Sequence, residues 1–351
     1  MIIMDTNYIR DCHMLLEYCK TSDSSLLDQR LQEGAIDWGN LLYFADLNGL
    51  LGFLWKLTDG LEDSRVPWRV AVRLNEFIKK QENRWRNYSE VIFNLLHDGA
   101  IKGQPILLKG GAFKHTIYKE SPNIRGIGDI DLLFHSSDAQ RVEQYLIEQG
   151  FWLRSGKNGS TAFKELGNDR LVVDVHVGDP SKNDRNPYDT FMVFKDEAIP
   201  IGNGILTISH ELSLIYACKH FCEHEEDFRK VFHQDDVRLF RLVDIFLLCR
   251  LVNFGKVKQL ASELNWMNYL ERTLWYVKEI FGYNFELTPG HEMGTERMST
   301  PIGSYTWPWA IRERVLRLDR AEWLASAMGD QGKRSDWYTS KEGNKNPTLP
   351  L

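Results

Sequence analysis

Apolar residues recur at three- and four-residue intervals through roughly the first 95 positions, and this period predicts helices. The stretches DTNYIRDCHMLLEYC, WGNLLYFADLNGLLGFLWKL and WRVAVRLNEFIKKQENRWRNYSEVIFNLLHD each carry one apolar stripe. Asp5 or Thr6 is placed to cap the first, and SRVP at 64–67 separates the second from the third. The pattern then changes. PILLK (105–109) is a short apolar run entering two glycines, as a buried strand entering a turn does, and AFKHTIYK follows as a helix. DIDLLF (129–134) reads as a second strand, SSDAQRVEQYLIEQG as a helix with a Ser cap and a Gly stop, and RLVVDVHVG (170–178) as a third strand. EAIPIGNGILTI supplies a hairpin around Gly-Asn-Gly.

After Ser209, a candidate N-cap, the helical period returns in SHELSLIYACKHFCEH. A strongly apolar helix, DDVRLFRLVDIFLLCRLVNFG, is expected to stop at Gly255, with two more helices following through 281. The Pro/Gly density of 288–309 predicts a long loop, and the polar residues from Gly329 a tail. The expected organisation is an N-terminal helical region (1–95), an α+β core with a small mixed sheet (96–208), a C-terminal helical domain (209–328) and a polar tail (329–351).

Composition narrows the function classes only slightly. The 351 residues are 43% hydrophobic and 26% charged, as in ordinary globular proteins, with a net charge of −6. An acidic balance argues against long nucleic acid as partner, because phosphate neutralisation needs a basic surplus. The longest apolar stretch, 41–55, contains Asp46 and Asn48 and is too short for a bilayer, so no membrane partner is expected. Asp5 interrupts a start without a basic n-region, and the 5 cysteines form no disulfide framework, so a cytoplasmic location is expected.

The chemistry lies in the middle zone. Asp129 and Asp131 flank Ile130, and side chains two apart on a strand project from one face. Two adjacent anions need a compensating charge, and a hard dication such as Mg²⁺ suits paired carboxylates. Asp174, within VVDVHV, is an acid among apolar neighbours. If its strand lies beside 129–134, three carboxylates converge and can hold two metal ions. LLKGGAF (107–113) adds Gly110 and Gly111 at a strand–helix turn whose backbone N–H groups suit phosphate, with Lys109 as a point charge. Neither the Walker nor the Rossmann glycine spacing is present.

The order L-K-G-G, R-G-I-G-D-I-D-L-L, V-D-V-H resembles the nucleotidyltransferase superfamily that includes DNA polymerase β, and within it a bacterial group of uncharacterised nucleotidyltransferases. The motifs cover 105–178, and the likeness extends more loosely over 209–250. The resemblance implies a small mixed-sheet nucleotidyltransferase core with the cleft between it and the C-terminal helices. It implies Gly110 and Gly111 on the triphosphate and Asp129, Asp131 and Asp174 on Mg²⁺. Lys109 and Arg125 would neutralise phosphate charge. The reaction implied is attack by an acceptor hydroxyl on the α-phosphate of an NTP, most often with transfer of AMP. Two departures stand out: the second glycine replaces a frequent Ser, and residues 112–128 make a long spacer.

The acidic balance suits a small-molecule or peptide acceptor better than tRNA. AMPylation of a protein side chain, or a toxin-like variant of it, is the enzymatic alternative, and a nucleotide-sensing module without turnover the non-enzymatic one. Beyond the core, Asp244 is a carboxylate inside an apolar helix that needs a partner, either a His or Arg of the same domain or the nucleotide or acceptor itself. His176 shares the face of Asp174 and is a candidate support for a carboxylate. Lys219, His220 or His224 is expected to face the cleft. Cys218, His220, Cys222 and His224 do not make a zinc site, because on a helix the cysteines and histidines point to nearly opposite sides.

Overall fold

The computed structural model describes residues 6–282 except for 35, 60, 62–64, 99–100, 102, 157–158, 168, 178–189, 203 and 227–237. The segment 288–309 and the tail 329–351 lie outside the described residues. The chain is a mixed α/β protein with helical N- and C-terminal regions around one mixed sheet.

The N-terminal region comprises α1 (Thr6–Thr21), α2 (Ser25–Gln32), α3 (Trp38–Leu47), α4 (Leu51–Thr58) and the 30-residue α5 (Trp68–His97). The apolar stripe at 38–57 reads as one helix but forms two. Gly49 takes φ +70°, a left-handed backbone that ends α3. The Phe240 ring sits against it so closely that a Cβ there would fall 2.5 Å from Cδ1. Phe240 N also donates to Asn48 O (3.1 Å), so the break is where the C-terminal region docks on the N-terminal one.

The middle of the chain supplies β1 (Ile106–Leu108), α6 (Lys109–His115), β2 (Ile130–Phe134), α7 (Ala139–Glu148), β3 (Trp152–Gly156), β4 (Gly159–Leu166), β5 (Asp169–Val177), α8 (Thr190–Asp196), β6 (Ala198–Gly202) and β7 (Ile205–Ile208). Among the described residues, seven strands form one sheet in the order β3-β4-β5-β2-β1-β7-β6. β1 and β2, at its centre, are buried throughout, which is why β1 reads as an unbroken apolar run and β2 as one interrupted only by Asp131. β2 pairs antiparallel with β1 and parallel with β5, and the latter register sets Asp131 opposite Asp174. The third carboxylate strand therefore lies beside the second, as the sequence requires for convergence.

The C-terminal region contains α9 (His210–Glu226), α10 (Leu239–Cys249), α11 (Phe254–Glu263) and α12 (Met267–Phe281). Ser209 caps α9, its Oγ accepting from Leu212 N at 3.3 Å. The apolar helix stops at Cys249 rather than at Gly255. Asn253 begins a new helix there, its side chain accepting from the N–H groups of Gly255 and Lys256, so this glycine lies in a first turn. Among the described residues, no helix is long and apolar enough to cross a membrane.

Candidate active site

Two sequence neighbours, Asp129 and Asp131, receive very different environments. Asp131 lies inside β2 and is almost fully buried. A buried carboxylate must be paired, and Asp131 is paired twice: Lys109 Nζ donates to its Oδ1 at 2.5 Å and His176 Nε2 to the same oxygen at 2.9 Å. Burial pushes its pKa up, but Lys109 and His176 together hold it well below the usual carboxylate range. Both contacts use Oδ1. Asp129 stands just before β2, outside the ladder, exposed to water where it lines the cavity and crowded by protein on its inner side. Burial, then the charges of Asp131 and Asp174, push its pKa up to about 6. Asp129, Asp131 and Asp174 line one cavity of about 650 Å³.

Lys109 opens α6 with φ +49°, an uncommon conformation for a side-chain-bearing residue and the kind of strain that a surrounding structure must enforce. Here the ion pair to Asp131 and the Tyr216 ring, 5.9 Å from Nζ, fix the side chain. Burial works against its charge, but Asp131 and the other acids hold its pKa above the ordinary lysine value. Gly110 lines the cavity under Arg125, whose Nη2 would lie 3.4 Å from a Cβ at that position. Gly111 has a different reason to be glycine: a Cβ there would come within 2.8 Å of Leu107 Cδ1 in the sheet core. The absent Ser hydroxyl is thus a packing consequence.

Arg125 is held from behind. Its Nε donates to Asp244 Oδ2 (2.9 Å) and Oδ1 (3.1 Å), its Nη1 donates to Gly126 O, and its plane stacks on Phe240 at 4.2 Å. Tyr118 Oη donates to Asp244 Oδ1 at 2.6 Å. Burial raises the Asp244 pKa while Arg125 and Tyr118 oppose that rise. The sequence points to a partner within the C-terminal helical domain; the structure supplies an arginine instead from the loop after α6, because that loop packs against the helix that carries Asp244.

His220 and His224 line the cavity, their rings 4.4 Å apart and nearly perpendicular. Burial, then Lys109 and His224, drive the His220 pKa well below the ordinary value, so its ring is neutral at pH 7. Cys218 and Cys222 turn the other way and are buried, with Cys222 Sγ 3.3 Å from Thr273 Oγ1 on α12. Lys219 does not line this cavity. It lies over Trp266 and Tyr269 and pairs with Glu223.

Several lining residues carry no signal in the sequence. Tyr216 and Phe240 read there as helix core, and Arg84 as solvated helix surface. Only the folded chain turns them toward one volume.

The residues fit a hard divalent cation in donor type. Asp131 and Asp174 stand at one level of adjacent strands, Asp129 is strained by their charge, and all three offer oxygen. Among the described residues, no three His, Cys, Asp or Glu groups stand ready-spaced as a metal cage; at Asp131 the Lys109 ammonium supplies the balancing charge.

Compared with known families, residues 34–282 match the model described as uncharacterised nucleotidyltransferase. The chain belongs to this family. Membership supports nucleotidyl transfer as the activity class and a nucleotide as substrate. No curated protein and no solved structure gave a match. In this member of the family the motif residues read from the sequence, L-K-G-G, D-I-D and V-D-V-H, meet at three adjacent places: the β1–α6 turn, the start of β2 with the residue before it, and β5.

Proposed function

We propose that the protein moves a nucleoside monophosphate, AMP in the first instance, from an NTP to the hydroxyl of a small-molecule or peptide acceptor in the presence of Mg²⁺. The register of Asp131 against Asp174, with Asp129 opening into the same cavity, carries this reading. Asp129, Asp131 and Asp174 would hold up to two Mg²⁺ ions, whose chemistry is to offset phosphate charge and acidify the acceptor hydroxyl. The chain's own residues do the rest. Asp174 takes the proton of the acceptor hydroxyl as its oxygen attacks the α-phosphorus, and pyrophosphate leaves. Lys109 and the Nη2 end of Arg125 flank the Gly110 turn and stabilise charge on the phosphates. His176 holds Asp131 in place through Oδ1.

Asp131→Asn tests the proposal. Pyrophosphate release from ATP with Mg²⁺ and a metabolite extract should vanish in the variant, while its circular dichroism spectrum stays that of the native protein. Near-native turnover in a folded Asp131→Asn protein overturns the assignment. Mass spectrometry of the products separates acceptors: a mass increase on protein rather than on a metabolite points to side-chain modification.

A further inference from the structure

The cavity is bounded on one side by α5, and that helix grips the loop leading into β2. Gln81, Arg84 and Tyr88 follow one another at three- and four-residue spacing, so they lie along one side of the helix. Gln81 Oε1 accepts from Ile127 N at 2.8 Å, and Arg84 Nη1 donates to Ile127 O at 2.9 Å. Tyr88 Oη donates to Gly128 O at 2.9 Å and accepts from Val172 N at 3.1 Å. Gln81 and Tyr88 are buried, and Arg84 is tied by its guanidinium to Asp169 at the start of β5.

The place of the Tyr88 hydroxyl is informative. The parallel ladder between β2 and β5 begins with Ile130 opposite Val173. Gly128 and Val172 are the chain just before that first rung, and the phenol oxygen occupies one backbone group of each. Parallel strands tend to continue pairing while their N–H and C=O groups are available. A hydroxyl inserted here ends the pairing before Asp129.

We infer that Gln81 and Tyr88 are positioning residues: they stop the β2–β5 ladder short of Asp129 and so keep this carboxylate in the cavity beside Asp131 and Asp174. The inference rests on the proposed role of those carboxylates as cation ligands. Removing the hydroxyl takes the shared partner from Gly128 O and Val172 N, which face each other across it, and the repair that pairs both within the protein is for the strands to zip one rung further. That repair draws Asp129 toward the sheet.

The experiment measures Mn²⁺ binding by electron paramagnetic resonance on the full chain, without nucleotide or turnover. Partners that orient metal ligands typically contribute 10–100-fold to metal affinity. Tyr88→Phe, which keeps the ring, should therefore weaken Mn²⁺ binding by at least about tenfold while circular dichroism stays native. Gln81→Met, which frees Ile127 N in the same loop, should act in the same direction and serves if Tyr88→Phe does not fold. Affinity within about twofold of native in the folded variants overturns the positioning role, since that is far below the expected loss. Asp131→Asn is the parallel arm. If it loses Mn²⁺ while Tyr88→Phe and Gln81→Met keep it, the positioning role alone fails. If Asp131→Asn binds Mn²⁺ normally, the cation reading fails and the inference falls with it.

Discussion

At the scale of single residues, the contrast between Asp129 and Asp131 has a consequence in pH. Asp129 has its pKa raised to about 6, by burial first and then by its acidic neighbours. A raised carboxyl is favoured in its protonated form by the fold, so its contribution to stability is present at low pH and is lost as pH rises through about 6. A cation binds the deprotonated form and offsets that loss. Mg²⁺ should therefore raise the melting temperature more at pH 7.5 than at pH 5, and Asp129→Asn should remove most of the difference. Equal Mg²⁺ effects at both pH values in the native protein would contradict the role given to Asp129. Gly111 gives a second residue-scale test. Gly111→Ser places a Cβ against Leu107, a fully buried side chain of β1 with little room to move. Overpacking of this kind costs about 1–3 kcal/mol, to be read as a lower urea midpoint. The added hydroxyl should bring no gain in turnover.

Between elements, the Arg125–Asp244 pair ties the loop after α6 to α10. Both side chains are largely withdrawn from water, and Phe240, one turn before Asp244, stacks on the guanidinium. Removing one partner of a buried pair strands the other, at about 3–5 kcal/mol, whereas replacing both by apolar groups is often close to neutral. Asp244→Ala should thus lower stability strongly, and Arg125→Met with Asp244→Leu should recover much of the loss. Nucleotide binding should stay impaired in the double variant, because Arg125 is also the cation beside the Gly110 turn. Additive losses in a thermodynamic cycle would count against the coupling. The same scale shows which elements were readable in advance. β1 and β2 are legible because both their faces are buried, and β5 because its buried Leu171, Val173 and Val175 alternate with the half-buried Val172, Asp174 and His176. α2 and the β3–β4 hairpin were not expected. The outer edge of the sheet is wet, with Trp152 of β3 half exposed and β4 ending in the exposed Glu165 and Leu166, so no apolar run marks it.

Across the whole molecule, the motif residues were found in the sequence because chemistry restricts their type and order: L-K-G-G, D-I-D and V-D-V-H keep their meaning out of context. Their supports were not, because Gln81, Arg84 and Tyr88 lie on a helix whose polar positions resemble any solvated face. What makes them functional is a loop 40 or more residues away in sequence. The docking at Gly49 is hidden for the same reason: Phe240, which packs on it, comes from the C-terminal region. The cavity that results is built by two kinds of wall. The three motif carboxylates belong to β2 and β5, whose spacing is locked by backbone pairing, and to the loop entering β2. Tyr216, His220, Phe240 and Arg241 belong to faces of α9 and α10, where one side chain can change without altering any strand register. Under the function proposed above, such a division would let descendants of one ancestral gene trade one acceptor for another by point substitutions on two helices, while the inherited reaction passes through unchanged.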